Sequence, residues 1–161
     1  MQHFPHYYTV TAVASHGEDV DLSSDYLPPL RTATPAEFDG PGDRWSPETL
    51  LVGAIGDCLA LTFRGIARKS GLAWTSFESD VTGTLDRVEG RTRFVAFEIH
   101  ARIQLPAGAS PELARRVLDK AERTCLITNS LNGSVRVVPS IEVAAPVPSI
   151  EVAARVDAPA A

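Results

Sequence analysis

The apolar positions of this chain follow two different periods, and the places where one gives way to the other mark out its elements. Residues 7–14 (Tyr-Tyr-Thr-Val-Thr-Ala-Val-Ala) concentrate β-formers and predict an opening strand, with a turn at Gly17 and a second strand over residues 19–24. Residues 27–44 contain Pro28, Pro29, Pro35, Gly40, Pro41 and Gly42, which break any period and predict an extended loop. A loop of that length within one domain tends to serve function or an interface. Ser46-Pro47-Glu48 then offers a capping hydroxyl, a first-turn proline and a carboxylate at the positive end of a helix dipole. The helix so started runs to about Lys69, with Gly71 placed to end it and Arg64, Arg68 and Lys69 near its carbonyl end. Over residues 50–63 it is apolar almost all round, which predicts a buried central helix.

Residues 77–86 and 93–104 alternate in part and flank Val88-Glu89-Gly90-Arg91, the pattern of an antiparallel hairpin that Pro106 terminates. Ser110-Pro111-Glu112 repeats the cap logic and opens an amphipathic helix to about Thr124, with Leu113, Val117, Leu118 and Ala121 on one face. Cys125 follows directly. After a short segment, 127–131, a last strand is predicted over 135–143. Residues 138–145 recur as 147–154, which reads as a local duplication in which one copy is the native strand and the other an edge or tail, and residues 157–161 are expected to be disordered.

With 161 residues the chain suits one core, assigned to 1–145, followed by the duplicated segment and tail at 146–161. Fifteen Lys and Arg against twenty Asp and Glu give a net charge of −5, and no basic stripe is interleaved with aromatics, which argues against nucleic acid as a partner. Residues 1–10 lack a positive leader, and no uninterrupted apolar stretch reaches the roughly 18 residues of a membrane span, so the expectation is a cytoplasmic protein with no membrane partner.

Two cysteines, Cys58 and Cys125, lie far apart and match no C-x-x-C spacing, so they are either two buried thiols or one long-range redox couple. Glu48 stands ten residues before Cys58 on the same helix, about 15 Å away at ~1.5 Å per residue. If both serve one site, a second chain must supply one of them; otherwise Glu48 is a helix-dipole carboxylate. Arg31 and Arg44 lie in the preceding loop, either solvated or able to pair with Glu48, a thiolate or an anionic substrate. His3, His6, His16 and His100 form no metal-ligand spacing, and hydrolase, phosphate-loop and dinucleotide motifs are missing, so no metal and no cofactor are expected.

The run 46–63, Ser-Pro-Glu-Thr-Leu-Leu-Val-Gly-Ala-Ile-Gly-Asp-Cys-Leu-Ala-Leu-Thr-Phe, resembles the signature helix of the OsmC/Ohr family of organic hydroperoxide reductases, in which a Cys follows the Glu by ten residues. Residues 121–131, Ala-Glu-Arg-Thr-Cys-Leu-Ile-Thr-Asn-Ser-Leu, resemble the family's second cysteine segment, and the likeness extends from about residue 7 to 143. The resemblance implies an α+β fold: antiparallel sheets wrapped around two central helices in an intertwined homodimer, with Glu48 of one chain near Cys58 of the other. It implies that Cys58 is the peroxidatic thiolate and Cys125 its resolving partner, through a sulfenic acid and a Cys58–Cys125 disulfide that a lipoyl-type dithiol reduces.

Two departures accompany it. Family members hold an activating Arg with the motif Glu, whereas residues 15–19 contain none and the loop position equivalent by spacing is Phe38; Arg31 or Arg44 is left to substitute, Arg31 being favoured because Arg44 abuts the helix cap. Leu126 also stands where the family often has Pro after its second cysteine. Phe38, Trp45, Leu50 and Leu59, with Arg44, are candidates to line a substrate pocket for alkyl or lipid hydroperoxides, although core packing explains Leu50 and Leu59 as well. The leading reading is therefore a thiol peroxidase. The alternative is a non-enzymatic dimeric redox-sensing or small-molecule-binding protein on the same fold, and a thiol hydrolase lacks any supporting histidine.

Overall fold

The computed structural model describes residues 3–145. An N-terminal antiparallel sheet is built from β1 (Thr11–Ala14), β2 (Val20–Ser23) and β3 (Leu30–Thr32), in that order. Then come helix α1 (Pro47–Ser70), the long hairpin β4 (Ser76–Val88) and β5 (Arg91–Leu105), helix α2 (Pro111–Thr124) and strand β6 (Ser134–Val143). β5 lies between β4 and β6 in the second sheet.

The helix ends follow the local chemistry of their sequences. The Ser46 hydroxyl accepts from Thr49 N at 3.2 Å while Thr49 Oγ1 accepts from Ser46 N at 2.8 Å, a reciprocal cap, and Gly71 closes α1 with φ 66°. Ser110 Oγ caps α2 by accepting from Leu113 N at 3.1 Å. Between β4 and β5 the chain reverses through Glu89 and Gly90, both at positive φ, the backbone twist that suits a two-residue hairpin turn.

The core sits between the second sheet and the two helices. Ile55, Leu59, Phe63 and Ala67 recur every fourth residue on α1, Phe97, Ile99, Ala101, Ile103 and Leu105 every second residue on β5, and Ala114, Val117, Leu118 and Ala121 form the inner face of α2. Burial of a side chain such as Phe63 contributes roughly 1.5–3 kcal/mol. On the opposite face of the same sheet, Glu98 holds His100 at 2.7 Å and Arg102 bridges Glu78 and Asp80, as the alternation requires.

Five expectations need correction. The sheets are not all antiparallel: β5 and β6 run parallel, because α2 crosses between them. The opening strand begins at Thr11 rather than residue 7, leaving Tyr7, Tyr8 and Val10 exposed outside the ladder. The stretch 27–44 is not wholly loop, since β3 pairs with β2 and residues 36–38 make one 3-10 turn; three residues between proline clusters are too few to show a period. Finally, α1 is buried along one face only. Leu61 is 47 % exposed on the other side, although an 18-residue window of the helix reaches a mean hydropathy of 1.6. Contrary to the expectation from uninterrupted runs, α1 is thus long and apolar enough to cross a membrane, a test that the core helix of a soluble protein also passes. The first copy of the repeat contributes to β6; the second copy and the expected disordered tail lie outside the described residues.

Candidate active site

Cys58 lies half-buried on α1, and Cys125 is fully buried at the C-cap of α2, where the packing of the two helices brings the thiols into hydrogen-bonding contact. After Cys125 the chain enters a 3-10 turn, Thr128–Ser130, and the amides that begin such a turn have no partners within it. Those of Leu126 and Ile127 point at Cys58 instead. Burial opposes ionisation of Cys58, but the Ile127 amide, the Cys125 thiol, the Leu126 amide and the Thr62 hydroxyl outweigh it and hold its pKa below the ordinary thiol value. Cys125 moves the other way: burial pushes its pKa up, and donation to a charged Cys58 reinforces that against the opposing help of Thr128. The two thiols are thus shifted in opposite directions, Cys58 toward the thiolate and Cys125 toward the protonated thiol, and among the described residues no cation is among the groups that shift Cys58.

This division has a pH signature. Because alkylation rate follows the thiolate fraction, labelling of Cys58 by iodoacetamide is expected to reach half its plateau below the pH of a free thiol. In Cys125→Ala one donor is lost, so that midpoint should move upward. Rate against pH with peptide mass mapping checks both; coincidence of the Cys58 midpoint with that of a model thiol would contradict the assignment.

Glu48 occupies the first turn of α1, and its Oε2 is buried without a hydrogen-bond partner. It lines a cavity of about 630 Å³ between α1 and β4, with Phe38 and Trp45 at one end and Val52, Val81 and Phe94 as walls. Gly56 lets the helix and strand approach there: a Cβ would stand 3.1 Å from Ser79 Oγ and 3.2 Å from Val81. Within one chain, then, the structure brings Cys58 and Cys125 together and leaves Glu48 nearer the other end of the helix.

The candidate arginines meet neither group in their own chain. Arg31, on β3, donates to Asp21 Oδ1 at 3.2 Å, and Arg44 holds Asp19 at 3.3 Å and Asp43 at 2.7 Å. Both line an adjoining groove that shares Trp45 and Thr49 with the cavity, so Arg44 stands beside but not in the lining that Phe38 and Trp45 share with Glu48. Leu59 is core, and Leu50 borders a second cavity under the N-terminal sheet, where Glu48 also appears. Sequence reasoning missed Thr62, whose i+4 spacing from Cys58 was a usable signal. It also missed the amides of Leu126 and Ile127, whose direction no side-chain identity discloses. Among the described residues, no group of three or more His, Cys, Asp or Glu is arranged to hold a metal.

Known proteins resemble this chain in sequence and in fold. An uncharacterized Bacillus subtilis (strain 168) protein, YmaD, is 27 % identical over 106 residues, 64 % of this chain and 71 % of that protein. An OsmC-like protein of Mycoplasma pneumoniae superposes with a TM-score of 0.74 at 18 % identity, over 86 % of this chain and 99 % of its own. An organic hydroperoxide resistance protein OsmC of Legionella pneumophila gives 0.65 at 24 %, over 88 % and 100 %. At these identities the structural likeness establishes the fold. The family model for OsmC-like proteins matches residues 40–140, a stretch holding Glu48 and both thiols, and the chain therefore belongs to the OsmC-like family.

Proposed function

We propose that the protein is a thiol peroxidase that reduces organic hydroperoxides to alcohols. The observation that carries this reading is the contact between a thiol of lowered pKa, Cys58, and a buried thiol of raised pKa, Cys125. The Cys58 thiolate attacks the terminal oxygen of ROOH; the O–O bond breaks, the alkoxide leaves and takes a proton as ROH, and Cys58 becomes a sulfenic acid. Cys125 then attacks that sulfur, expelling water and closing a Cys58–Cys125 disulfide. A dithiol, of the lipoyl type in this reading, restores both thiols and leaves oxidised. The amides of Leu126 and Ile127 stabilise the charged sulfur before attack and require no reorganisation.

The reading includes a homodimer. The uncovered face of α1, with Leu61 in it, asks for a partner, and a second copy would bring Glu48 to Cys58 where one chain holds them apart. It also places the protein in the cytoplasm, where a free thiol pair is kept reduced. A second reading, a dimeric redox sensor without turnover, draws on the ion pairs that occupy Arg31 and Arg44.

One equivalent of cumene hydroperoxide separates the two. A peroxidase loses both thiols within seconds and its mass falls by about two hydrogens, and with excess dithiol it consumes further equivalents. Slow disulfide formation with no sustained consumption selects the sensor.

A further inference from the structure

We propose that the dithiol that re-reduces the Cys58–Cys125 disulfide is carried by an acidic protein, which docks along the outer face of α2. The inference rests on the peroxidase reading and goes beyond it by naming the reductant's class and its landing surface. The inner face of α2 is core, and its outer side carries Arg115, Arg116, Lys120 and Arg123. All four are exposed, and among the described residues none of them joins an ion pair. Arg116, Lys120 and Arg123 follow one another at i, i+4 and i+7, so they form one stripe along the helix. Of the acids on α2, Glu112 lies in the first turn, the end remote from Cys125, and Asp119 and Glu122 are half-buried. The helix dipole accounts for Arg123 in the last turn but not for Arg116, about two turns earlier.

The stripe leads to the reacting thiols. Leu126 follows Cys125 with its side chain 74 % exposed, while its amide is directed at Cys58 and its carbonyl accepts from Ser130 Oγ at 2.8 Å. Its backbone is thus held on both sides, and the leucine is a preordered apolar contact at the end of a row of cations. A second copy of the chain is a poor occupant, because a two-fold axis through the stripe would set cations against cations, whereas an acidic surface is complementary to it. Cys125 is fully buried and Cys58 half-buried, so a carrier thiolate attacks the Cys58 sulfur; the S–S bond breaks, and Cys125 leaves and takes a proton. The carrier's second thiolate then attacks its own sulfur in the mixed disulfide, which expels the Cys58 thiolate and leaves the carrier as a disulfide.

Two synthetic peptides with the same Cys-Gly-Gly-Cys dithiol, one flanked by Glu and the other by Lys, serve as probes. The protein is first oxidised with one equivalent of cumene hydroperoxide, and each peptide's rate is divided by its rate with the neutral 2-hydroxyethyl disulfide. At low ionic strength the Glu peptide is expected to reduce the protein about tenfold faster than the Lys peptide, although a net charge of −5 by itself favours the Lys peptide. The ratio should shrink as salt rises. The triple variant Arg116→Gln/Lys120→Gln/Arg123→Gln should abolish or reverse the preference while uncharged dithiothreitol reduces it at the unaltered rate. Equal peptide rates, a preference for the Lys peptide, a preference that the triple variant keeps, or equal slowing of dithiothreitol overturns the inference and leaves peroxidase function standing. If the triple variant instead loses the dimer, or loses binding to phosphatidylserine vesicles, with the peptide preference unmoved, the stripe belongs to a second copy or a membrane surface and the inference falls. Failure of cumene hydroperoxide to form the disulfide at all removes the peroxidase reading and this inference with it.

Discussion

Replacing Cys58 by Ser is expected to lower hydroperoxide turnover by about a thousandfold or more, because a hydroxyl at neutral pH supplies no anion comparable to a thiolate. The nearest side-chain donors, Cys125 and Thr62, give hydrogen bonds to that position rather than withdraw protons. Cys125→Ser should fail differently. Cys58 still ionises and still attacks one hydroperoxide, but the sulfenic acid has no thiol to condense with, so a dione reagent traps it and a further peroxide carries it toward sulfinic acid. Stopped-flow consumption would show one fast equivalent and then a collapse in steady-state rate. The Cys125 site is fully buried, and a hydroxyl there costs about 1–3 kcal/mol if left unpaired, so thermal unfolding should accompany the assay. Full turnover by Cys58→Ser with a dithiol reductant would end the peroxidase reading.

Much of this fold was legible because its signals are local. Ser46, Pro47 and Gly71 bound α1 where caps and a left-handed terminal residue are required, and the Glu89-Gly90 pair marks the hairpin turn. The parallel pairing of β5 with β6 was not, since an amphipathic helix between two strands leaves their relative direction to the packing of the whole sheet. β3 escaped notice because three residues beside prolines carry no period. At the site, Glu48 and Cys58 fall on α1 and the second thiol at the end of α2, as their positions in the sequence indicated. Two of the four groups that lower the Cys58 pKa are backbone amides, whose orientation comes from the turn after Cys125 rather than from any side-chain identity.

The one-sided burial of α1 bears on Glu48 as well as on stability. A helix with mean hydropathy 1.6 over 18 residues, packed on one face and bare on the other, leaves apolar area in water that a partner's surface would remove at roughly 25 cal/mol per Å². Asp57 and Arg64 lie seven residues apart and both are exposed, so opposite charges would flank Leu61 on the face that the proposed dimer covers. In the proposed dimer a two-fold axis through such a face would set each acid toward the partner's base, which would favour a second copy over an unrelated chain.

Mixing two inactive variants tests that arrangement. Glu48→Gln alone should reduce kcat/KM by about a hundredfold if its carboxylate orders charge around the reacting sulfur, and Cys58→Ser removes the nucleophile. Neither chain can repair itself. When equal amounts are unfolded and refolded together, about half of the dimers are mixed, and each mixed dimer has one site with an intact Cys58 facing an intact Glu48 from its partner. The other site in that dimer carries both lesions. Activity should therefore return to about a quarter of the unaltered protein's, far above either parent and well beyond their average. If Glu48 instead served Cys58 of its own chain across the ~15 Å of helix between them, the Glu48→Gln chain would keep its lesion and the Cys58→Ser chain would still lack its sulfur. The mixture would then show only the mean of the two parents, and the shared site would be excluded.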